Sequence, residues 1–93
     1  MRCEKLDVWK RSARISVEIY KHFASCKDFG FKDQITRSSL SVPSNIAEGA
    51  GRNSNNEFVH FLSIANGSSY ELMTQLILGI ELQLLKKDKV ENI

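Results

Sequence analysis

A single-domain, all-α helical bundle is the fold class this sequence predicts, and three observations predict it. The stretch Asp7 to Ser25 contains neither Gly nor Pro and sorts by polarity on a helical wheel, and a second stretch from Phe31 to Ala50 repeats its apolar residues at helical spacing. Ser54-Asn-Asn-Glu57 then has the spacing of a capping box and opens a third, longer helical stretch. With 93 residues there is room for one modest core and not for a second domain. Apolar residues at 42% and charged residues at 26% are ordinary for a globular chain and exclude a disordered one.

The first helix is expected over about residues 7–25. At ~100° per residue, Lys10, Lys21, Arg14, Asp7, Glu18, Arg11 and His22 fall in an arc of roughly 120°. The rest of the wheel is apolar or small, from Leu6, Val8 and Trp9 to Tyr20 and Phe23. About two thirds of the circumference thus avoids water, more than a surface helix needs. Such a helix faces two neighbours, one of which can be another subunit.

Gly30 breaks that pattern, and the second helix follows over about residues 30–50 with Phe31, Ile35, Val42, Ile46 and Ala50 on one face and Ser38 and Ser39 as small residues between them. Pro43 is expected to kink this helix, because its ring displaces the bond to the carbonyl four residues earlier. Ser44 and Asn45 could satisfy the backbone group left free. Gly49 and Gly51 close the segment.

After the Ser54/Glu57 box, the third helix should run over about residues 55–84, burying Phe58, Phe61, Leu62, Ala65, Ser69, Leu72, Leu76 and Ile80. Gly67 and Gly79 lower its propensity and permit close contacts. Asp88-Lys-Val-Glu91 repeats the capping spacing, so a fourth helix begins at 88–93, of which only the first turn is present.

Net charge is only +2, too small to argue nucleic-acid binding alone, but it is polarised: residues 1–27 hold seven Lys/Arg against three Asp/Glu, and residues 54–85 hold Glu57, Glu71 and Glu81 with no Lys or Arg. Lys10, Arg14 and Lys21 lie within roughly 40° of one another on the first helix, with Arg11 nearby and Arg2 and Lys5 leading in. These six are the candidate nucleic-acid-binding residues. An ordinary solvated helix face is the alternative explanation. Cys3 and Cys26 stand near opposite ends of the first helical segment, too far apart to pair, and are expected to be reduced thiols of a cytoplasmic protein. No apolar stretch approaches the ~20 residues of a membrane span.

Catalysis finds little support. His22 and His60 are the two histidines, and neither has the partners of a nucleophile–base arrangement. Glu57-Phe-Val-His60 matches the Glu-x-x-His string of bundle metal sites once, whereas two copies and two further glutamates are needed, and Glu57 serves the capping box. No phosphate loop, metal ligand set, cofactor site or small-molecule substrate is evident. The segment Ser41 to Arg52 is the most distinctive. Glu48 and Arg52 can pair at i,i+4 on the helix surface, and Pro43, Ser44, Asn45, Glu48, Gly49, Arg52 and Glu57 are candidate interface residues as well as structural ones.

Leu6-Asp-Val-Trp9, Asp33-Gln-Ile-Thr-Arg37, Ser41-Val-Pro-Ser-Asn-Ile-Ala-Glu-Gly49, Glu57-Phe58, Phe61-Leu-Ser-Ile-Ala-Asn-Gly-Ser68 and Glu71-Leu-Met-Thr-Gln-Leu76 together resemble the bacterial four-helix-bundle family encoded in intervening sequences of 23S ribosomal RNA genes. Some members carry the name S23 ribosomal protein. The match runs in order from about residue 6 to residue 85, and the Ser41–Gly49 string is its most specific part. The resemblance implies an antiparallel up-down four-helix bundle, here with its fourth helix truncated to the first turn, that assembles into a ring, commonly a pentamer, without enzyme activity. Retroelement relatives bind a reverse transcriptase and nucleic acid through basic surfaces, so RNA or a reverse-transcriptase-like protein is the partner it implies. Two functions remain in competition: an oligomeric protein that contacts RNA or a ribonucleoprotein, and a purely structural protein-protein module that uses the apolar surface of the first helix.

Overall fold

The computed structural model describes residues 2–91. Helices α1 (Asp7–His22), α2 (Phe29–Ala50) and α3 (Asn55–Glu81) are followed by a five-residue α4 (Lys87–Glu91), and a single 3-10 turn, Cys3–Lys5, precedes α1. The described residues contain no strand. Residues 92 and 93, the end of the expected fourth helix, lie outside the described residues.

The helices alternate in direction. Ser16 meets Ser39 between α1 and α2, and Phe23 meets Phe31 at one end of the same pair. Between α2 and α3, Ser41 meets Ser68, and the backbone of Gly49 lies against Phe58 and Phe61. Advancing along one helix of each pair retreats along the other, which is an up-down arrangement. Helix α2 is central, its backbone close to both α1 and α3, while α1 and α3 reach each other chiefly through side chains. The molecule is a rod of 43 × 19 × 19 Å.

Large side chains gather towards the two ends of this rod. Ile19, Phe23, Ile35, Leu72 and Leu85 form one cluster, with Phe31, Leu76 and Val90 packed against it. Val42, Ile46 and Ala65 form the other, against which Leu6, Trp9 and Leu62 pack. Each fully buried Ile or Phe contributes on the order of 1.5–3 kcal/mol. Between the clusters the helices touch through small polar residues. The Ser16 and Ser39 hydroxyls are 3.4 Å apart, and Ser39 also donates to the Thr36 carbonyl at 2.9 Å. Buried hydroxyls are thereby satisfied where bulk would separate the helices.

Several boundaries differ from the sequence expectation, each for a local reason. Helix α1 stops at His22, three residues early, because Phe23 turns into the core and Cys26 N–H bonds to its carbonyl. Helix α2 starts at Phe29, since the Asp28 carboxylate accepts from Phe31 N–H at 3.1 Å and supplies an N-cap. At Pro43 α2 neither ends nor restarts. Asn45 donates to the carbonyl and hydroxyl of Ser41, not to the carbonyl of Ser39, and Ser44 is exposed; the expected compensation at Pro43 is not made by these side chains.

Helix α3 ends at Glu81, not at 84. Gln83 adopts φ +60°, Leu84 N–H reaches back to the Gly79 carbonyl at 2.9 Å and Gln83 N–H to that of Ile80 at 3.0 Å. These bonds form a Schellman motif with glutamine in the left-handed position usually held by glycine. The motif sends Leu85 into the core. Gly79 does permit a close contact, since a Cβ there would stand 3.3 Å from the Phe31 ring, but one at Gly67 would meet nothing within 4 Å.

Candidate nucleic-acid interface

Helix α1 divides into four sectors around its axis, in the order set by ~100° per residue. Ser16, Ile19 and Phe23 are buried against the bundle. On one flank Trp9, Ala13, Val17 and Tyr20 line a groove shared with Leu40 and Pro43 of α2, with about 530 Å³ of open space. Next come Lys10, Arg14 and Lys21, all exposed. Asp7, Glu18, Arg11 and His22 complete the same polar sector beyond them. The fourth sector, with Val8, Ser12 and Ile15, borders a second groove of about 320 Å³ whose far wall is α3.

The charges are not mixed evenly within this arc. Arg11 pairs with Asp7 at 3.9 Å, and Glu18 stands 3.8 Å from the His22 ring. Both i,i+4 arrangements occupy one side, so the carboxylates of α1 are directed away from Lys10, Arg14 and Lys21. None of those three has an ion-pair partner within 4 Å among the described residues. The expected basic strip therefore exists as a surface, with Arg11 at its paired edge and Lys5 exposed in the turn before α1.

Arg2 lies elsewhere. Its guanidinium sits 4.8 Å from the centroid of Phe58, across the end of the bundle, beside a pocket shared with Cys3, Glu48 and Arg52. Only the folded turn Cys3–Lys5 brings this about, and a helical wheel does not contain it. Cys3 is buried, Cys26 is half-buried with its thiol 3.8 Å from the Asp28 carbonyl, and both are free.

The interface candidates of the Ser41–Glu57 segment converge on the α2–α3 corner. Arg52 bonds to Glu48, approaches Glu57 at 3.9 Å and lies over the Phe61 ring at 4.9 Å. The Ser54 hydroxyl accepts from Glu57 N–H at 3.1 Å and lies 3.2 Å from the Glu57 carboxylate. Glu57 thus meets the cap hydroxyl and Arg52, where a full capping box would send its carboxylate to the Ser54 N–H. Asn45 and Ser41 continue the polar contacts to Ser68, 2.8 Å from the Ser41 hydroxyl. Gly49 allows the two backbones to approach. Asn45, Glu48, Gly49, Arg52 and Glu57 thus hold a helix corner together, whereas Pro43, buried, and Ser44, exposed, line the α1–α2 groove instead.

His60 packs edge-on against Phe61 at 5.3 Å, Glu57 is engaged as described, and among the described residues no three His, Cys, Asp or Glu side chains are grouped as metal ligands. Reading the sequence for charge missed Tyr20, 47% exposed beside the cations. On the wheel only Val17 adjoins Lys10, whereas Tyr20 lies about 80–100° from Lys10 and Lys21 within the apolar circumference, and it is the groove against α2 that brings Tyr20 and Lys21 to one rim.

A second exposed feature runs along α3. Val59, Tyr70, Met73 and Ile77 are 55–64% exposed and share one face of that helix, making an apolar stripe beside the second groove. No helix among the described residues is long and apolar enough to cross a membrane.

Residues 4–93, nearly the whole chain, match the sequence model of a family described as 23S rRNA-intervening sequence protein. No curated protein matches the chain.

Proposed function

The chain belongs to the 23S rRNA-intervening sequence protein family, and from that premise we propose that it is a non-enzymatic, self-assembling cytoplasmic bundle that contacts RNA through the outer face of α1. The observation that carries this reading is the segregation of charge on α1: Lys10, Arg14 and Lys21 stand exposed while the neighbouring acids face Arg11 and His22. Three cations per subunit make a weak contact alone. Repeated around a ring of subunits, for which the family suggests five, they add up through effective concentration.

Binding of this kind is independent of sequence and falls as salt rises, because each phosphate contact releases counterions. The test is RNA affinity of the wild type and of a Lys10→Glu, Arg14→Glu double variant across a salt series. The wild type should show a log–log slope of about −2 per subunit engaged on a single strand, and the variant a much shallower one. Equal affinities, or no binding at low salt, would refute the reading.

The competing protein-protein module without nucleic-acid binding is expected on the apolar surface of α1, where Val8, Val17 and Tyr20 stand about half exposed, and one further observation favours it, namely the apolar stripe of α3. Its four residues suit a protein partner better than a phosphate backbone. On that reading the double variant changes nothing and the apolar surfaces of α1 and α3 carry function.

A further inference from the structure

The groove between α1 and α2 differs from an ordinary apolar cleft in what lines its rim. Its floor is Ala13, Ser16 and Pro43, its walls include Trp9 and Tyr20, and Lys21 stands at its edge. Lys10 and Arg14 follow immediately around α1. Tyr20 is half exposed, and Trp9, partly buried against Val42 and Ile46, presents its remaining surface to the groove. Across the groove, the α2 acids nearest to it are engaged: Asp33 with Arg37 at 3.1 Å, and Glu48 with Arg52. The groove is thus flanked by unpaired positive charge on its α1 side and by neutralised acids on its α2 side.

The geometry points to a site for single-stranded RNA in this groove, with bases stacked on Tyr20 and against the edge of Trp9 while the phosphates run along Lys10, Arg14 and Lys21. This assignment rests on the RNA-binding reading given above and narrows it to one substrate class and one flank of the helix. An aromatic face beside a basic track is the arrangement that single-strand binders use, because every base has a π-face and every linkage a negative charge. A duplex keeps its bases in its own stack and can offer the groove only phosphates. Charge complementarity selects this occupant over a second copy of the chain, whose exposed α3 stripe is apolar with a single flanking carboxylate, Glu81.

The full chain provides its own reporter, since Trp9 is its only tryptophan. Trp9 emission and RNA anisotropy would be followed on adding a single-stranded oligouridylate of about twelve nucleotides, or a duplex of equal length. The expected result is quenching by the single strand, with affinity at least about tenfold above the duplex. Tyr20→Ala should lose about tenfold or more in single-strand affinity while keeping the salt slope, and Tyr20→Phe should retain both, because the ring and not the hydroxyl does the stacking. Helical circular dichroism on each variant separates a lost platform from a lost fold.

If Tyr20→Ala binds as the wild type does, or if duplex and single strand bind alike, and Lys10→Glu with Arg14→Glu still abolishes binding, the groove is overturned and the basic strip survives. No binding of either RNA by the wild type at low salt overturns both. A Trp9 signal that follows protein concentration, with no response to oligouridylate, would mean that a second copy fills the groove, and would also overturn the proposal.

Discussion

A Cβ on Gly49 would stand 2.8 Å from the Cβ of Phe61, closer than real Cβ atoms come to a neighbour, with the Phe58 ring at 3.0 Å and the Phe58 carbonyl at 3.3 Å. The first of these contacts involves atoms fixed to the backbone, so no rotamer change relieves it. Gly49→Ala should therefore push α2 and α3 apart and cost about 1–3 kcal/mol despite its better helix propensity. Urea unfolding followed by circular dichroism measures this; an unchanged midpoint would show that the corner accommodates a methyl group.

Gly67 predicts the opposite sign. Nothing lies within 4 Å of a Cβ there, so Gly67→Ala should stabilise α3 by about 0.8–1 kcal/mol, from propensity alone. A loss of stability in the same urea experiment would place an unrecognised neighbour against that face.

Gln83 holds a left-handed backbone at the end of α3, which costs a residue with a side chain on the order of 1 kcal/mol. Glycine removes the steric cost and adds some unfolded-state entropy, so Gln83→Gly should raise stability by somewhat less than about 1 kcal/mol. Gln83→Val should lower it by more, since a β-branched residue tolerates positive φ worst. Thermal melts of the two variants should move in opposite directions.

Ser54 and Glu57 share the start of α3 but not equally. Removing the Ser54 hydroxyl, which receives the Glu57 N–H, should cost about 1 kcal/mol. Glu57→Gln disturbs an exposed contact to Arg52 at 3.9 Å and should cost under about 0.5 kcal/mol. If Glu57→Gln proves the more damaging, the corner depends on its charge network and not on the cap.

The apolar stripe on α3 should drive self-association. Sedimentation of the wild type at tens of micromolar is expected to show more than a monomer, and a Tyr70→Lys, Ile77→Lys double variant should shift the population towards monomer without loss of helix. A wild type that stays monomeric would remove assembly from the proposed function.

Periodicity placed the three long helices because each has one face that must be buried, and burial leaves a repeating trace in the sequence. The basic strip was visible for the same reason, since Lys10, Arg14 and Lys21 share a helix and need no tertiary information to be aligned. What depended on distant residues was not visible. The sequence marked Gly49 as a helix stop, whereas its backbone meets Phe58 and Phe61 on another helix. Arg2 was placed with the strip, but a 3-10 turn carries it to Phe58. Helix α3 ends three residues before its apolar pattern suggests, because its left-handed position is filled by glutamine and not by the glycine that marks such an end in a sequence. At the candidate site the cations could be read directly. The groove beside them could not, since half of its wall belongs to α2.

The central position of α2 also bears on how the chain folds and opens. Each adjacent helix pair is joined by a short connection, so native contacts are mostly local and loop closure is cheap, conditions under which helical domains fold in microseconds to milliseconds. Helix α2 is shielded on two sides, and α1 on little more than one. Native-state hydrogen exchange should then separate them, the amides of α1 exchanging through a partial opening that leaves the α2–α3 hairpin closed and those of α2 only when the whole bundle unfolds. Of the three long helices, the one that carries the basic strip is thus the one the fold can release most cheaply, and a ligand bound along it would slow its exchange before that of α2 or α3.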